Sequence, residues 1–152
     1  MNYWLFKSEP GTWGWQDQIA RGTKGEHWDG VRNFLANKQM KQMQLGDKGF
    51  FYHSVNEKRI MGTVEIIREH YPDHTDPTGR FGMVDIQALE TAAHHVTLAE
   101  IKAEPKLAEM VLVNNSRLSV QPVSAAEWKL VCKMAGLDPK RDKSDVADNA
   151  KP

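Results

Sequence analysis

The sequence predicts an α+β fold: a small, partly open β-barrel of about five to six strands with short helices packed around it. Three observations point there. Short β-prone runs alternate with short helical stretches, a tight turn at Asn56-Glu57-Lys58 joins two such runs into a central hairpin, and 152 residues suffice for one core but not two. The same pattern argues against a parallel doubly wound sheet.

The elements follow in chain order. Tyr3-Trp4-Leu5-Phe6 reads as a first strand, and Pro10-Gly11 breaks the chain after it. Trp15 to Ala20 forms one short helix, which Gly22 and Gly25 interrupt. Asn33 is an N-cap for a helix through Met43, with Leu35, Met40 and Met43 spaced for one buried face, and Gly46-Asp47 stops it. Gly49 to Ser54 is an aromatic-rich buried strand, and Arg59 to Ile67 is its hairpin partner. Tyr71 to Gly82, with its prolines and glycines, is a loop. A strand then runs from Met83 to about Leu89, with a further one through His95. Thr97 and Glu100 make a capping box for a short helix that Pro105 ends, and a second short turn closes near Met110. Arg117 to Val123 alternates like a strand, Ser124 caps a helix through Met134, and Gly136 terminates it. The domain is placed at residues 1–137, and the polar stretch from Asp138 to Pro152 is expected to be a disordered tail.

Composition excludes several classes of function. Cys132 is the single cysteine, so no internal disulfide and no thiolate cluster for zinc are possible, which fits a reducing compartment with the cytoplasm as the expected address. The N-terminal apolar run has no basic leader and is too short to span a membrane. The formal net charge is zero, so the molecule as a whole does not attract phosphate as a basic DNA-binding domain does. Locally the balance tilts: Arg21 to Arg59 holds eight basic residues against four acidic, whereas Ile60 to Met110 holds four against nine.

Four motifs occur in one order: Tyr3-Trp4-Leu5-Phe6-Lys7-Ser8-Glu9-Pro10, Trp28-Asp29-Gly30-Val31-Arg32-Asn33, Phe50-Phe51-Tyr52-His53-Ser54 and Arg117-Leu118-Ser119-Val120-Gln121-Pro122. Together they closely resemble the EVE domain family, from Met1 to about Leu137. The resemblance implies a PUA-like fold related to YTH domains, and a non-enzymatic role in binding modified bases such as methylated or hydroxymethylated cytosine in DNA or RNA. Carried over motif by motif, it implies a pocket built from Lys7, Ser8 and Glu9, from Trp28, Gly30, Val31, Arg32 and Asn33, and from Tyr52, His53 and Ser54, with Arg117, Ser119 and Val120 forming another wall. The chain departs from the family in two places: Val55 stands where Asn often follows the His-Ser pair, and both Trp13 and Trp15 follow Pro10 where a smaller or single aromatic is usual.

Elementary physics supports such a pocket. A flat heterocycle is held best between aromatic faces, each stack contributing roughly 1–3 kcal/mol, and Trp13, Trp15, Trp28 and Tyr52 are candidate walls. Asn33, Ser8 and Ser54 offer donors and acceptors for the base edge. Lys7, Arg32 and Lys38 would steady the flanking phosphates. The expected partner is nucleic acid carrying a modified base, bound by a monomer without cofactor.

Other assignments are weaker. Trp4, Phe6, Phe50 and Leu118 belong to the core by strand alternation. His53 and Ser54 are adjacent on a strand, so they face opposite ways and form no nucleophile–base pair. His70 and His74 have the spacing of helical metal ligands, but Pro72 between them breaks any such helix, and no metal is expected. The alternatives are a small hydrolase of a modified nucleoside, with Lys7 and Glu9 as acid and base, and a protein-interaction module.

Overall fold

The computed structural model describes residues 1–146. Its strands are β1 (Tyr3–Ser8), β2 (Glu26–His27), β3 (Lys48–His53), β4 (Arg59–Pro72), β5 (Gly82–Thr91) and β6 (Val120–Val123). The helices are α1 (Trp15–Ala20), α2 (Phe34–Gln42), α3 (Leu98–Ala103), α4 (Val111–Asn114) and α5 (Ala125–Ala135). The strands make one six-stranded sheet in the order β2-β5-β4-β3-β1-β6. β1 runs parallel to β3, and the other pairs are antiparallel. The architecture is α+β, as the sequence predicts, with the sheet left open rather than closed into a barrel.

Strand alternation divides the core between the two faces of the sheet. Trp4 and Phe6 of β1 and Phe51 of β3 join Trp15, Trp28, Met40, Val84 and Ile86 on one face. Leu5, Phe50 and Tyr52 point the other way, into a second cluster around Trp128, Val131 and Ile101. Close approach at β4 depends on Gly62: a Cβ there would lie 2.3 Å from the Trp15 ring and 2.4 Å from the Glu90 carbonyl.

The caps are those the sequence announces. Thr97 and Glu100 close a capping box on α3, Ser124 and Glu127 do so on α5, and Gly136 ends α5 at φ +67°. Four features differ from expectation. α2 buries Ala36 and Asn37 and, one helical turn on, Met40, so Leu35 is exposed beside Phe34. β4 continues to Pro72 instead of ending near Ile67, bending through irregularities in its pairing with β5. The stretch through His95 forms no strand; it is tied by hydrogen bonds from Ala92 N to Met61 O (2.9 Å), from Ile60 N to Val96 O (2.8 Å) and from His94 N to Ala135 O (3.1 Å). The first part of the expected tail lies against the domain. Trp128 Nε1 donates to Pro139 O (3.0 Å), Asp138 N to Glu90 (2.8 Å) and Lys143 N to Glu65 (2.9 Å). Three backbone and ring donors therefore hold a segment that composition alone marks as too polar to pack, while residues 147–152 lie outside the described residues. Among the described residues, no helix is long and apolar enough to cross a membrane.

Candidate functional site

A concavity of about 390 Å³, within the roughly 300–1,000 Å³ usual for ligand sites, opens where the C-terminal end of β1 meets the loops around β2. Its near wall is a turn that Glu9 organises. The Glu9 carbonyl accepts from Thr12 N (2.9 Å) and Trp13 N (3.0 Å), and its carboxylate accepts from Gly11 N (3.0 Å) and Thr12 Oγ1 (3.3 Å). The Ser8 hydroxyl donates to the Trp13 carbonyl. Trp13 is therefore fixed over the strand end, and its indole Nε1 donates to Gln18 Oε1 (3.0 Å), a buried amide that in turn donates to Ile86 O (3.1 Å).

The far wall is the loop after β2. Trp28 N donates to Val84 O (2.7 Å), and its ring stands edge-on to Phe6 (5.3 Å) and Phe51 (5.7 Å), leaving 8% of the residue exposed. Trp28 is thus a core side chain with one surface toward the hollow. Gly30 follows at φ +79°, a conformation open to glycine at little cost, and its N–H donates to Asp73 Oδ2 (2.8 Å). Arg32 grips the same carboxylate (3.1 Å) and Thr75 Oγ1 (2.9 Å). Burial alone would raise the Asp73 pKa, but the hydrogen bonds from Thr75, Gly30 and Arg32 outweigh it and hold the carboxyl at about 2. Asp73 is the peg that fixes the loop.

Lys7 completes the lining. It is half-buried, its Nζ donates to Ser116 O (2.9 Å), and its backbone N donates to Ser119 O (2.9 Å). Burial lowers its pKa below the usual lysine value. The lining carries Lys7 and Arg32 against Glu9, Glu26 and Asp29. That balance suits a neutral heterocycle with polar edges; it does not suit a phosphate, which must be met at the rim.

The structure gathers Lys7, Ser8, Glu9, Trp13, Trp28, Gly30, Val31, Arg32 and Ser119 around this hollow. The remaining expected residues are elsewhere. Tyr52 is 2% exposed and packs on the opposite face of the sheet, because it is one residue out of phase with Phe51; burial pushes its phenol up to about 12. Trp15 is 1% exposed, wedged against Phe51 and Gly62 with Nε1 on Thr91 Oγ1 (3.0 Å). His53 Nε2 accepts from Trp15 N (3.0 Å) and Nδ1 meets Glu57 (2.7 Å), so this imidazole clamps α1 to the β3–β4 hairpin. Val120 is fully buried beneath the pocket, and Ser54 contributes its N–H to Ser8 O (2.9 Å). Asn33 spends its side chain capping α2, accepting from Ala36 N (2.9 Å). Arg117 and Lys38 are exposed and outside the lining.

The lining also includes Asp29, within the 28–33 motif, and Thr12, Glu26 and His27, which sequence reasoning passed over. Asp29 lies inside the motif already singled out, and Glu26 and His27 immediately precede it, so adjacency to Trp28 was the available signal.

Comparisons with known proteins bear on the family and the fold. The family model for the EVE domain matches residues 2–134. A Rhodopseudomonas palustris protein solved by NMR is 57% identical, with a TM-score of 0.85 over 90% of this chain and 94% of its own. Thymocyte nuclear protein 1 of Homo sapiens is 32% identical over 170 residues, spanning 91% of this chain and 76% of that protein. A crystal structure of the human THYN1 protein in complex with 5-methylcytosine containing DNA has a TM-score of 0.81 at 32% identity, over 91% of this chain and 100% of that one. The MmI1 YTH domain shares the fold at 14% identity, with a TM-score of 0.59 over 90% of this chain and 96% of its own.

Proposed function

The chain belongs to the EVE domain family, and from that premise we propose that it is a non-enzymatic reader that takes a modified nucleobase, a modified cytosine or a related base, into the Trp13–Trp28 hollow. The observation that carries this is that two indoles, one from the turn after β1 and one from the loop after β2, line one concavity with mixed polar edges. The human relative's complex with 5-methylcytosine containing DNA supports the ligand class. The exposed heads of Lys7 and Arg32, at the rim of the hollow, and Lys38 on α2 are the phosphate contacts of this proposal. A base within duplex must first be flipped out at a cost of a few kcal/mol, so single-stranded sites bind more tightly.

Local bonding favours binding over chemistry. The Ser8 hydroxyl is committed to the Trp13 carbonyl, Glu9 to its own turn and Lys7 to Ser116 O. Burying one added methyl contributes about 0.8 kcal/mol, so discrimination between modified and plain base is expected to be about tenfold or less.

Calorimetric titration with single-stranded oligonucleotides, modified and unmodified, tests the proposal. Trp28→Ala is a poor probe because it also opens the core. Trp13→Ala removes one stack and is expected to weaken binding by roughly 1–3 kcal/mol. Equal affinity for modified and plain strands, or release of a product on prolonged incubation, would refute it.

A further inference from the structure

We propose that His27, Asp29 and His74 form a binding site for a divalent transition-metal cation of the zinc class at the rim of the hollow. Each offers one donor atom, and the three donors lie within 4.8 Å of one another. His27 Nε2 is 3.8 Å from Asp29 Oδ2, and the two imidazoles meet edge to face with centroids 4.9 Å apart. Metal–nitrogen and metal–oxygen bonds of about 2.0–2.2 Å put two ligands of one ion roughly 3.3–4.2 Å apart. The most widely separated donors therefore need to close by roughly 1 Å. Asp29 and His74 are exposed and His27 is half-buried, so side-chain rotation alone achieves it.

Two further features prepare the site. His27 Nδ1 lies 3.4 Å from Glu26 Oε1, so one ring nitrogen faces a carboxylate behind the imidazole while Nε2 faces Asp29. A carboxylate behind a ligating imidazole is the usual orienting partner in metal sites. The backbone is also already in place, because Asp73, next to His74, holds both Gly30 N and Arg32. The ion would join two loops that the protein has brought together, the one after β2 and the one between β4 and β5. Sequence spacing hides this: His74 meets a histidine far off in the chain, whereas His70 turns away to Asn37 Oδ1 (3.0 Å).

The donor set selects the ion. Two imidazoles and one carboxylate suit zinc, cobalt or nickel and are poor ligands for magnesium or calcium. Three protein donors leave at least one position for water or a ligand atom. His27 and Asp29 also line the hollow, so the cation would place positive charge beside the carboxylates of Glu9, Glu26 and Asp29.

Titration of tag-free protein with zinc, and separately with cobalt, tests the site without any nucleic acid. The expected result is binding of one ion per chain, visible d–d absorption with cobalt, a raised unfolding temperature and no response to magnesium. His74→Ala abolishes all three signals, and Glu26→Gln weakens binding by about tenfold. His94→Ala, which removes the other exposed histidine–carboxylate pair, with Glu100 at 2.8 Å, leaves them unchanged. No saturable binding, or binding that survives His74→Ala, overturns the site. Since no base is present in this assay, its failure and that of the base-reading proposal are separable.

Discussion

At Val55 a β-branched side chain sits at φ +71°, in the left-handed region where branching at Cβ is costly. It is 60% exposed and lies outside the hollow. The departure from the family's Asn therefore acts on the turn of the β3–β4 hairpin and not on a ligand contact. Val55→Asn is expected to stabilise the protein by about 1 kcal/mol in denaturant unfolding, with base affinity unchanged. Asp73 sets a second residue-scale expectation. Its folded pKa, about 2, lies below the unfolded value, so its contribution is complete above roughly pH 4 and is lost as pH falls toward 2. The contribution is on the order of 2 kcal/mol, and Asp73→Asn removes that part of the acid sensitivity along with the anchor of Gly30 and Arg32. Acid unfolding curves of the two proteins measure it. The importance of Asp73 was not visible in sequence, because its partners lie about forty positions earlier in the chain.

At the scale of elements, His53 belongs to a motif expected at the pocket and makes its bonds within the fold. Its imidazole accepts from the first residue of α1 and meets Glu57 across the hairpin turn, so it positions a helix. His53→Ala leaves the Trp15 N–H buried without a partner; the expected loss is about 1–3 kcal/mol of stability with no change in base affinity at saturating protein stability. Thermal unfolding and calorimetry on the same variant separate the two. The strands, caps and hairpin were legible because alternation, Thr97-Glu100, Ser124-Glu127 and Gly136 act locally. Strand parity in β3 sets Tyr52 on the opposite face from Phe51, in the second core cluster. The two-residue β2 was not legible, since a pair of residues has no period, and its place at the sheet edge comes from pairing with β5.

Across the whole molecule, the sheet order brings two distant motifs into one site. β1 delivers Lys7 to Glu9, and the edge pairing of β2 with β5 delivers Trp28 to Arg32, with Asp73 pinning the loop from behind. Sequence motifs named both groups, but their juxtaposition depends on nonlocal strand pairing. The five tryptophans report on this arrangement separately. Trp4, Trp15 and Trp128 are buried with Nε1 on Asp47, Thr91 and Pro139, whereas Trp13 and Trp28 line the hollow. Indole N–H resonances followed by NMR during titration with a modified-cytosine oligonucleotide are the most direct test. Large shifts confined to Trp13 and Trp28 are the expected result; unmoved signals from both, or shifts centred on Trp4, Trp15 or Trp128, would contradict base binding in this pocket.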